Sequence, residues 1–372
     1  MAVYKIFPSK DATMYSYNSS RNTGLDEILE LSIDPEPTSG FYLDIPRLSR
    51  FIIQFGDDEI NKVYNYVDGN THKAFLRCYA AEVNSLPGPI DLAITTTFDD
   101  YGSWNMGTGK FNYDPEYQNG VSWTYMTSQD GTSWPLTNGY NYEVSTNYVS
   151  GGGAWFTNSD YKYTQTLDYY TSKDINVEVT DAVDAWNDGV IGNNGFIVRI
   201  DEDIYYSDGN NAPVLKYYSR DTHTIYPPCL EIRWNDYDFN VNSNIDELNT
   251  LPAVISIDNN PGVFYPSSIN QFRVNSRPEY PARAFQTSSY YTQNYYLPEN
   301  SCYAIKDLDT NEYIVDFDEQ FTKLSVDDNG SYFTLYMNGL EPERYYSILI
   351  KTVINGSTIV FDSDYNFKVI NG

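Results

Sequence analysis

Histidine, the side chain best suited to move protons near neutral pH, occurs only twice in the 372 residues, as His72 and His223. Both lie in polar, loop-like surroundings with no nucleophile motif beside them. The chain also lacks the motifs GxSxG, HExxH and GxxxxGK followed by Ser or Thr. We interpret both histidines as exposed loop residues and predict that the chain is not an enzyme.

Paired carboxylates are the second kind of residue that could do chemistry, because two acids suffice to cleave a glycosidic bond. Acidic clusters occur at Asp57-Asp-Glu59, Asp99-Asp100 and Asp201-Glu-Asp203. Among 51 acidic residues such clusters arise by chance, and we expect them at solvated strand ends. A hydrolase therefore stays only as a third alternative.

One segment, Asp307-Leu-Asp309-Thr-Asn311, is similar to the start of a calcium-binding loop. Glu312 stands where that loop needs Gly, and Asp318 stands where it needs a bidentate Glu. The segment Asp309-Thr-Asn-Glu312 is better interpreted as a hairpin turn. The sequence predicts no metal site here.

The three cysteines, Cys78, Cys229 and Cys302, are far apart and outside any CxxC spacing. An odd number at such distances makes a disulfide framework or a zinc site a poor interpretation. We expect buried, reduced thiols and no cofactor.

Aromatic residues dominate the composition, with 37 Tyr, 18 Phe and 6 Trp. They concentrate at about 101–170, interleaved with Gly, Asn, Ser and Asp. Tyr and Trp are the side chains most enriched at the energetic centres of interfaces, and their rings can also stack on sugars. We expect half of these rings to fill the core and the others to form a protein interface, with glycan binding as the alternative. The candidates for binding are Trp104, Trp123, Tyr125, Trp134, Tyr140 and Trp155.

The formal net charge is −28, which would repel a phosphate backbone and an anionic membrane surface. No stretch approaches the roughly 18 consecutive apolar residues of a membrane helix. The start of the chain reads as a strand and not as a signal peptide. We therefore expect no nucleic-acid or membrane partner, and folding in the cytoplasm of the cell that makes the chain.

Alternating apolar residues, the signature of a half-buried strand, recur throughout the chain. Examples are Phe51-Ile53-Phe55, Leu76-Cys78-Ala80, Ile90-Leu92-Ile94, Ile175-Val177-Val179, Phe196-Val198-Ile200 and Leu230-Ile232-Trp234. Turn clusters rich in Gly, Asn, Asp and Pro separate them. One short helix is predicted at about 181–188, capped by Thr180 and ended by Gly189. These patterns predict an all-β fold of sandwich or jelly-roll type.

A polar, Asn-rich stretch at 241–252, closed by Pro252, predicts a linker between two domains. All six Trp precede it, so we expect two separate cores: residues 1–240, carrying the aromatic insertion, and residues 253–372. In the second domain, Tyr345–Ile354 and Ser357–Phe361 are joined by Asn355-Gly356. This dipeptide accepts positive φ at both turn positions and predicts a hairpin.

The first ~240 residues resemble the DNRLRE family of jelly-roll-like β-sandwiches. The most specific segment is 175–186, a strand that runs into a short helix bearing Trp186. It is followed by an Asn-Gly turn and strand at 193–200, and the segments 7–15, 49–55 and 228–234 are also similar to that family. The long aromatic insertion departs from the family pattern.

The last ~120 residues look like a fibronectin type III or immunoglobulin-like sandwich. Leu340-Glu-Pro342 followed by Tyr346 is similar to the tyrosine corner, in which a Tyr hydroxyl bonds back to the backbone. With Trp186, these residues are predicted to be structural. The fold predicted for the whole chain is a jelly-roll-like β-sandwich followed by a smaller immunoglobulin- or fibronectin III-like one.

With its two domains, its acidic charge and its many Tyr, the chain resembles virion structural proteins of T-even-like marine tailed phages. The segments 5–13 and 277–283 are also similar to segments of those proteins. The resemblance implies a non-enzymatic part of the tail, neck or head surface, located in the virion. Its partners would be other virion proteins and further copies of itself, as a homo-oligomer or symmetric array. The alternative is a carbohydrate-binding or adhesion module of a phage fibre or cell surface, with a host surface glycan as partner.

Overall fold

The computed structural model describes residues 2–34, 47–83, 86, 88–97, 103–113, 118–134, 142–143, 151–156, 161–201, 214–241, 245–281, 295–362 and 364–371. Five residues named as candidates above lie outside these ranges. They are Asp99, Asp100, Tyr140, Glu202 and Asp203.

The described residues form an all-β fold, as predicted, with two short α-helices, of which the sequence predicted one. The strands up to residue 234 are β1 (Ala2–Ile6), β2 (Pro8–Tyr15), β3 (Ile28–Asp34), β4 (Arg47–Phe55), β5 (His72–Cys78), β6 (Ala80–Val83), β7 (Ile90–Thr96), β8 (Tyr125–Thr127), β9 (Thr132–Ser133), β10 (Tyr142–Glu143), β11 (Trp155–Phe156), β12 (Lys162–Leu167), β13 (Ile175–Glu178), β14 (Phe196–Ile200), β15 (Leu215–Tyr218) and β16 (Cys229–Trp234). The later strands are β17 (Asp246–Glu247), β18 (Ala253–Asp258), β19 (Val263–Phe264), β20 (Ile269–Pro278), β21 (Tyr295–Tyr296), β22 (Cys302–Asp307), β23 (Tyr313–Val315), β24 (Ser325–Asp327), β25 (Gly330–Tyr336), β26 (Tyr345–Ile354), β27 (Ser357–Phe361) and β28 (Asn366–Val369). The helices are α1 (Asp57–Val67) and α2 (Thr180–Asn187).

The chain folds into two compact units. The jelly-roll unit comprises Ile6–Asn65 and Lys73–Glu231, and the immunoglobulin-like unit comprises Met1–Lys5, Tyr66–His72 and Ile232–Gly372. The sequence analysis had assigned the segments 1–5, 66–72 and 232–240 to the first domain. Here they belong to the second unit, and the change of unit falls within β16.

The jelly-roll unit is built on a large sheet with the order β12-β7-β14-β4-β3-β15-β6, in which β2 also pairs with β4. A second sheet contains β5 and β13, which pair antiparallel from Cys78 opposite Ile175. On the large sheet, Phe51 lies opposite Val198, and Ile52 opposite Ile197. Because successive side chains alternate between faces, Ile52 and Ile197 point away from the core that Phe51 and Val198 enter. All four are fully buried, so both faces of this sheet are covered.

The helix α1 was not predicted from the sequence. The cluster Asp57-Asp-Glu59, interpreted there as a strand end, forms its first turn, where negative charge is favourable beside the free N–H groups. Ile60, Val63 and Val67 are buried at the 3–4–residue spacing of an amphipathic helix. The acidic cluster therefore stabilises the N-terminus of α1.

The helix α2 agrees with the prediction within one residue at each end, but Thr180 does not cap it. Val179 precedes the first helical residue and makes no side-chain cap bond. The Thr180 hydroxyl instead accepts the Ala74 N–H at 3.1 Å. The buried face carries Val183 and Trp186, and the Trp186 ring lies 4.7 Å from that of Phe196. Neither described helix is long and apolar enough to cross a membrane.

The immunoglobulin-like unit is a sandwich of two sheets. One has the order β17-β21-β20-β25-β24 with β18 on β20, and the other has the order β19-β28-β26-β22-β23 with β27 on β26. This division of strands between two sheets is that of an immunoglobulin-like fold. Between the sheets, the Tyr303 and Phe333 rings stack at 4.3 Å and Phe272 stacks on Phe333 at 5.2 Å.

The tyrosine corner predicted from the sequence is confirmed. The Tyr346 hydroxyl donates to the Glu341 carbonyl at 3.0 Å. Leu340 and the Tyr346 ring are buried in the core, and Pro342 is half-buried beside them. The hydrogen bond ties the loop before β26 to the strand itself.

Both hairpin predictions in this unit are also confirmed. Residues Asn355 and Gly356 have φ of 51° and 77°, and Ile354 lies opposite Ser357. The β22–β23 turn encloses residues 308–312, and its geometry is set by Asp307. Its Oδ1 accepts the N–H groups of Asp309 and Thr310 at 2.9 and 2.8 Å.

Candidate functional site

The tryptophans proposed as interface residues are buried inside the jelly-roll unit. The exposed fractions of Trp104, Trp123, Trp134 and Trp155 are 1, 1, 3 and 4%. A ring so completely covered cannot contact a partner, and the prediction that these four form a binding surface is therefore wrong. Tyr125 is half-buried.

Trp123 and Trp155 cover part of the second face of the large sheet. The Arg50 guanidinium lies on that face, 4.6 Å from the Trp123 ring and 5.1 Å from the Trp155 ring. The Arg199 guanidinium lies 4.7 Å from the same Trp155 ring. Electron-rich ring faces stabilise such desolvated cations. The insertion therefore acts as a lid on the sheet.

The three glycines at 151–153 allow the lid to approach the sheet closely. All three have positive φ, and a Cβ on Gly152 would lie 2.7 Å from the Trp123 ring and 2.8 Å from Arg50. The Gly152 carbonyl accepts a hydrogen bond from Arg50 at 3.1 Å. The sequence predicted only a turn at 151–153. In the structure this segment packs so closely against the sheet that there is no room for a side chain.

Asn22, which the sequence analysis did not single out, anchors the insertion. Its amide nitrogen donates to the carbonyls of Met106 at 2.6 Å and Val121 at 2.9 Å. Its amide oxygen accepts the Gly109 N–H at 2.8 Å. The side chain is fully buried. One amide thus joins two separate stretches of the insertion to the loop after β2.

The remaining chemical candidates from the sequence are scattered. His223 is an exposed loop residue, as predicted, whereas His72 is half-buried and opens β5, so its loop assignment was wrong. Asp201 lies 4.0 Å from the Lys162 ammonium on the large sheet. The structure does not bring these residues together into a catalytic group.

The three cysteines are buried free thiols, as predicted. Burial raises the pKa of Cys302 to about 11 and that of Cys78 well above its usual value, so both stay protonated at neutral pH. Within the described ranges, no three His, Cys, Asp or Glu side chains are grouped closely enough to hold a metal ion.

A cleft in the jelly-roll unit has a wall of three aromatic rings. Tyr15 ends β2, Tyr17 lies in the turn after it, and Phe111 comes from the insertion. The Tyr15 ring is 4.8 Å from Phe111 and 5.4 Å from Tyr17. The cavity volume is about 390 Å³, within the ~300–1,000 Å³ typical of small-molecule sites. We call this feature the tyrosine cleft; its lining residues are Tyr15, Tyr17, Asp26, Glu27, Ile28, Glu30, Lys110, Phe111, Asn112 and Lys216.

The polar side of the tyrosine cleft pairs carboxylates with lysines. Lys216 on β15 lies opposite Glu30 on β3 and pairs with the Glu82 carboxylate at 2.7 Å, and Lys110 lies 3.2 Å from the Glu27 carboxylate. Both oxygens of Asp26 accept the Phe111 N–H, at 3.2 and 3.1 Å. Burial raises the pKa of Asp26 to about 6 and also raises that of Glu30. The cleft therefore contains hydrogen-bond donors and hydrogen-bond acceptors beside an apolar wall.

A second exposed aromatic feature is the turn between β12 and β13. Tyr169 and Tyr170 are 74 and 91% exposed, and their rings meet edge to face at 5.3 Å. The Asp168 carboxylate accepts the Tyr170 N–H at 2.5 Å, and the Lys173 ammonium donates to the Asp168 carbonyl at 2.5 Å. A hydrogen-bonded turn thus presents two large rings to solvent. We call this feature the tyrosine turn.

Asp11 is a fully buried carboxyl on β2 and makes stability depend on pH. Burial raises its pKa to about 7, although the Arg220 N–H donates to it at 2.7 Å. A raised folded-state pKa means that Asp11 favours the folded state at low pH, and that this contribution is lost as pH rises through about 7. We expect Asp11→Asn to remove up to about 4 kcal/mol of this decrease between about pH 4 and pH 8. Urea unfolding at several pH values checks this; identical pH profiles of wild type and variant would contradict it.

No protein-family model matches the chain, and no curated protein matches it. Among solved structures, one similar chain is a DUF4785 family protein from Legionella pneumophila, at 7% identity and a TM-score of 0.19, with 98% of this chain and 65% of that one covered. Another is a beta-glucuronidase from Parabacteroides merdae, at 10% identity and a TM-score of 0.15, with 96% and 36% covered. The chain thus spans less than two thirds of each, and likenesses this distant carry no conclusion about function.

Proposed function

We propose that this chain is a non-enzymatic structural component of a tailed-phage virion, in the tail, neck or head surface. The sequence resemblance to virion proteins supports the location. The architecture suits a stiff part, because the large sheet of the jelly-roll unit is covered on both faces. The observation that carries the assembly role is the tyrosine turn, which offers two exposed rings to a neighbouring virion protein.

The tyrosine turn has the properties of an interface anchor. Tyr is among the residues that contribute most when buried at an interface. The hydrogen bonds of Asp168 and Lys173 already hold the turn, so binding has little backbone entropy left to lose. The net charge of −28 further favours a neighbour with a basic surface around the pocket that receives the rings.

The proposal predicts that removing the two rings prevents incorporation without unfolding the chain. We expect the double change Tyr169→Ala and Tyr170→Ala to reduce the amount of this chain in purified particles at least tenfold. Quantitative mass spectrometry of particles grown with the variant in place of the wild-type gene measures it. Tyr280→Ala is the matched control, since Tyr280 is 77% exposed on the immunoglobulin-like unit. Normal incorporation of the double variant would contradict the assigned role of the turn.

The alternative function, carbohydrate binding by the aromatic insertion, loses the residues on which it rested, since Trp123 and Trp134 are buried. The non-enzymatic part of the proposal has its own test. The purified chain should not hydrolyse polysaccharides. Hydrolysis that disappears in Asp26→Asn or Glu30→Gln would contradict it.

A further inference from the structure

We infer that the tyrosine cleft is a carbohydrate-binding site, in which a sugar ring lies against Tyr17 and its hydroxyls bond to Glu30, Asp26 and the flanking lysines. The site differs from the buried tryptophans and from the tyrosine turn. The inference does not depend on the virion role proposed above, because every residue that lines the cleft comes from this chain and no neighbouring protein is needed to complete it.

The aromatic wall supplies the surface that a sugar needs. One face of a pyranose ring carries mainly C–H groups, which pack on an aromatic face and lose contact with water there. Tyr17 is 42% exposed, Tyr15 is buried and Phe111 is half-buried, and both rings lie edge to face with Tyr17, at 5.4 and 6.4 Å. Three rings packed in this way form a firm platform for a flat apolar ligand.

The polar side of the cleft matches the rest of a sugar. Each hydroxyl both donates and accepts a hydrogen bond, so a sugar uses carboxylates and ammonium groups together. Glu30 and Lys216 lie on adjacent strands, and Lys110 lies 3.2 Å from Glu27; all four residues line the cleft. Asp26 and Glu30 are half-buried in the cleft lining, and their carboxylate oxygens can accept further hydrogen bonds from sugar hydroxyls.

The charge distribution disfavours the other small ligands that an aromatic and acidic cleft could take. An organic cation would meet Lys110, Lys216 and the Arg21 guanidinium, which already lies 5.0 Å from the Phe111 ring. A phosphate group would meet the carboxylates of Asp26, Glu27 and Glu30. A neutral, hydroxyl-rich ligand avoids both repulsions.

The cleft is held in shape before any ligand arrives. Arg21 donates to the Phe111 carbonyl, and Asp26 binds the Phe111 N–H. The Leu25 N–H donates to the Gly109 carbonyl at 2.9 Å. The insertion side and the β2–β3 side are therefore fixed to each other, and a ligand need not order them.

The test uses the purified full-length chain on an array of neutral hexose and N-acetylhexosamine oligosaccharides, followed by calorimetric titration with the strongest-binding glycan. We expect binding, weakened at least tenfold by Tyr17→Ala and by Glu30→Gln. The matched control, Tyr280→Ala, removes an exposed tyrosine ring that lies outside the cleft and outside the tyrosine turn, and it should bind as the wild type does. Near-UV circular dichroism confirms that each variant is folded.

Three results would overturn the inference. One is the absence of binding to every glycan of the array, and another is binding that neither Tyr17→Ala nor Glu30→Gln weakens. The third is saturable binding of tetramethylammonium or inorganic phosphate, lost in Tyr17→Ala, without glycan binding. None of these outcomes bears on incorporation into particles, which the tyrosine-turn variants test separately.

Discussion

Replacing Asn22 by Ala is expected to release the aromatic insertion from the sheet that it covers. The change removes the partner of the Met106 and Val121 carbonyls and of the Gly109 N–H, and the bonds to Val121 and Gly109 are buried. Each unsatisfied buried group costs ~1–3 kcal/mol, so the two buried groups predict a loss of about 2–6 kcal/mol in the free energy of unfolding of the jelly-roll unit. Urea unfolding followed by tryptophan fluorescence measures it, because four of the six Trp lie in the insertion.

The matched control is Asn105→Ala, which removes an exposed amide of the same insertion. The Asn105 side chain makes only long hydrogen bonds, of 3.4 Å to the Asn119 carbonyl and 3.3 Å from the Gly107 N–H. We expect a loss within about 0.5 kcal/mol. Equal losses in Asn22→Ala and Asn105→Ala would show that Asn22 does not anchor the insertion.

Replacing Asp307 by Ala is expected to destabilise the immunoglobulin-like unit by about 2–3 kcal/mol, since a hydrogen bond to a charged group contributes ~1.5–3 kcal/mol. Arg344 binds the Asp307 carboxylate through Nε at 2.6 Å and a second guanidinium nitrogen at 2.7 Å. The same carboxylate holds the β22–β23 turn. The Asp307 side chain is only 1% exposed, whereas Arg344 is 20% exposed and also lies 3.6 Å from the Asp309 carboxylate.

Asp327 provides the matched control, because Arg273 binds it with two hydrogen bonds as well. Its side chain is 32% exposed, and water can take over when the pair is broken. We expect Asp327→Ala to cost at most about 1 kcal/mol. A similar loss for both variants, measured by thermal unfolding, would contradict the account.

Low pH should weaken the ion pair between Asp307 and Arg344. The Arg344 guanidinium and the turn N–H groups hold the pKa of Asp307 below its usual value, although burial opposes them. A lowered folded-state pKa adds stability above the unfolded-state pKa, and this stability is lost as pH falls through the folded-state value. The stability difference between wild type and Asp307→Ala should therefore shrink at strongly acidic pH.

Local patterns account for the parts of the fold that the sequence predicted. Asn355-Gly356 determines its turn through two consecutive positive φ values, and Leu340, Pro342 and Tyr346 form their corner within seven residues. The helix α2 was predicted for the same reason. The helix α1 was missed because Asp57-Asp-Glu59 was considered for its charge, although Ile60, Val63 and Val67 already carried the helical period.

Long-range contacts explain what the sequence could not predict. Whether Trp123 is exposed depends on Arg50, Gly152 and Asn22, which lie far from it in the chain. The tyrosine cleft likewise joins residues 15–30 to 110–112 and to Lys216. No local spacing signals such a site. Residues such as Asn22 in a loop, or Tyr15 and Tyr17 near a strand end, are common in protein sequences. Their roles here follow from the residues that pack against them.

The measurement that tests the proposed function most directly is cryo-electron microscopy of purified phage particles, combined with mass spectrometry of their proteins. The account predicts that this chain is present and that both sandwiches occupy a fixed, repeated position, with Tyr169 and Tyr170 against a neighbouring protein. Absence of the chain from the particles would contradict the structural role.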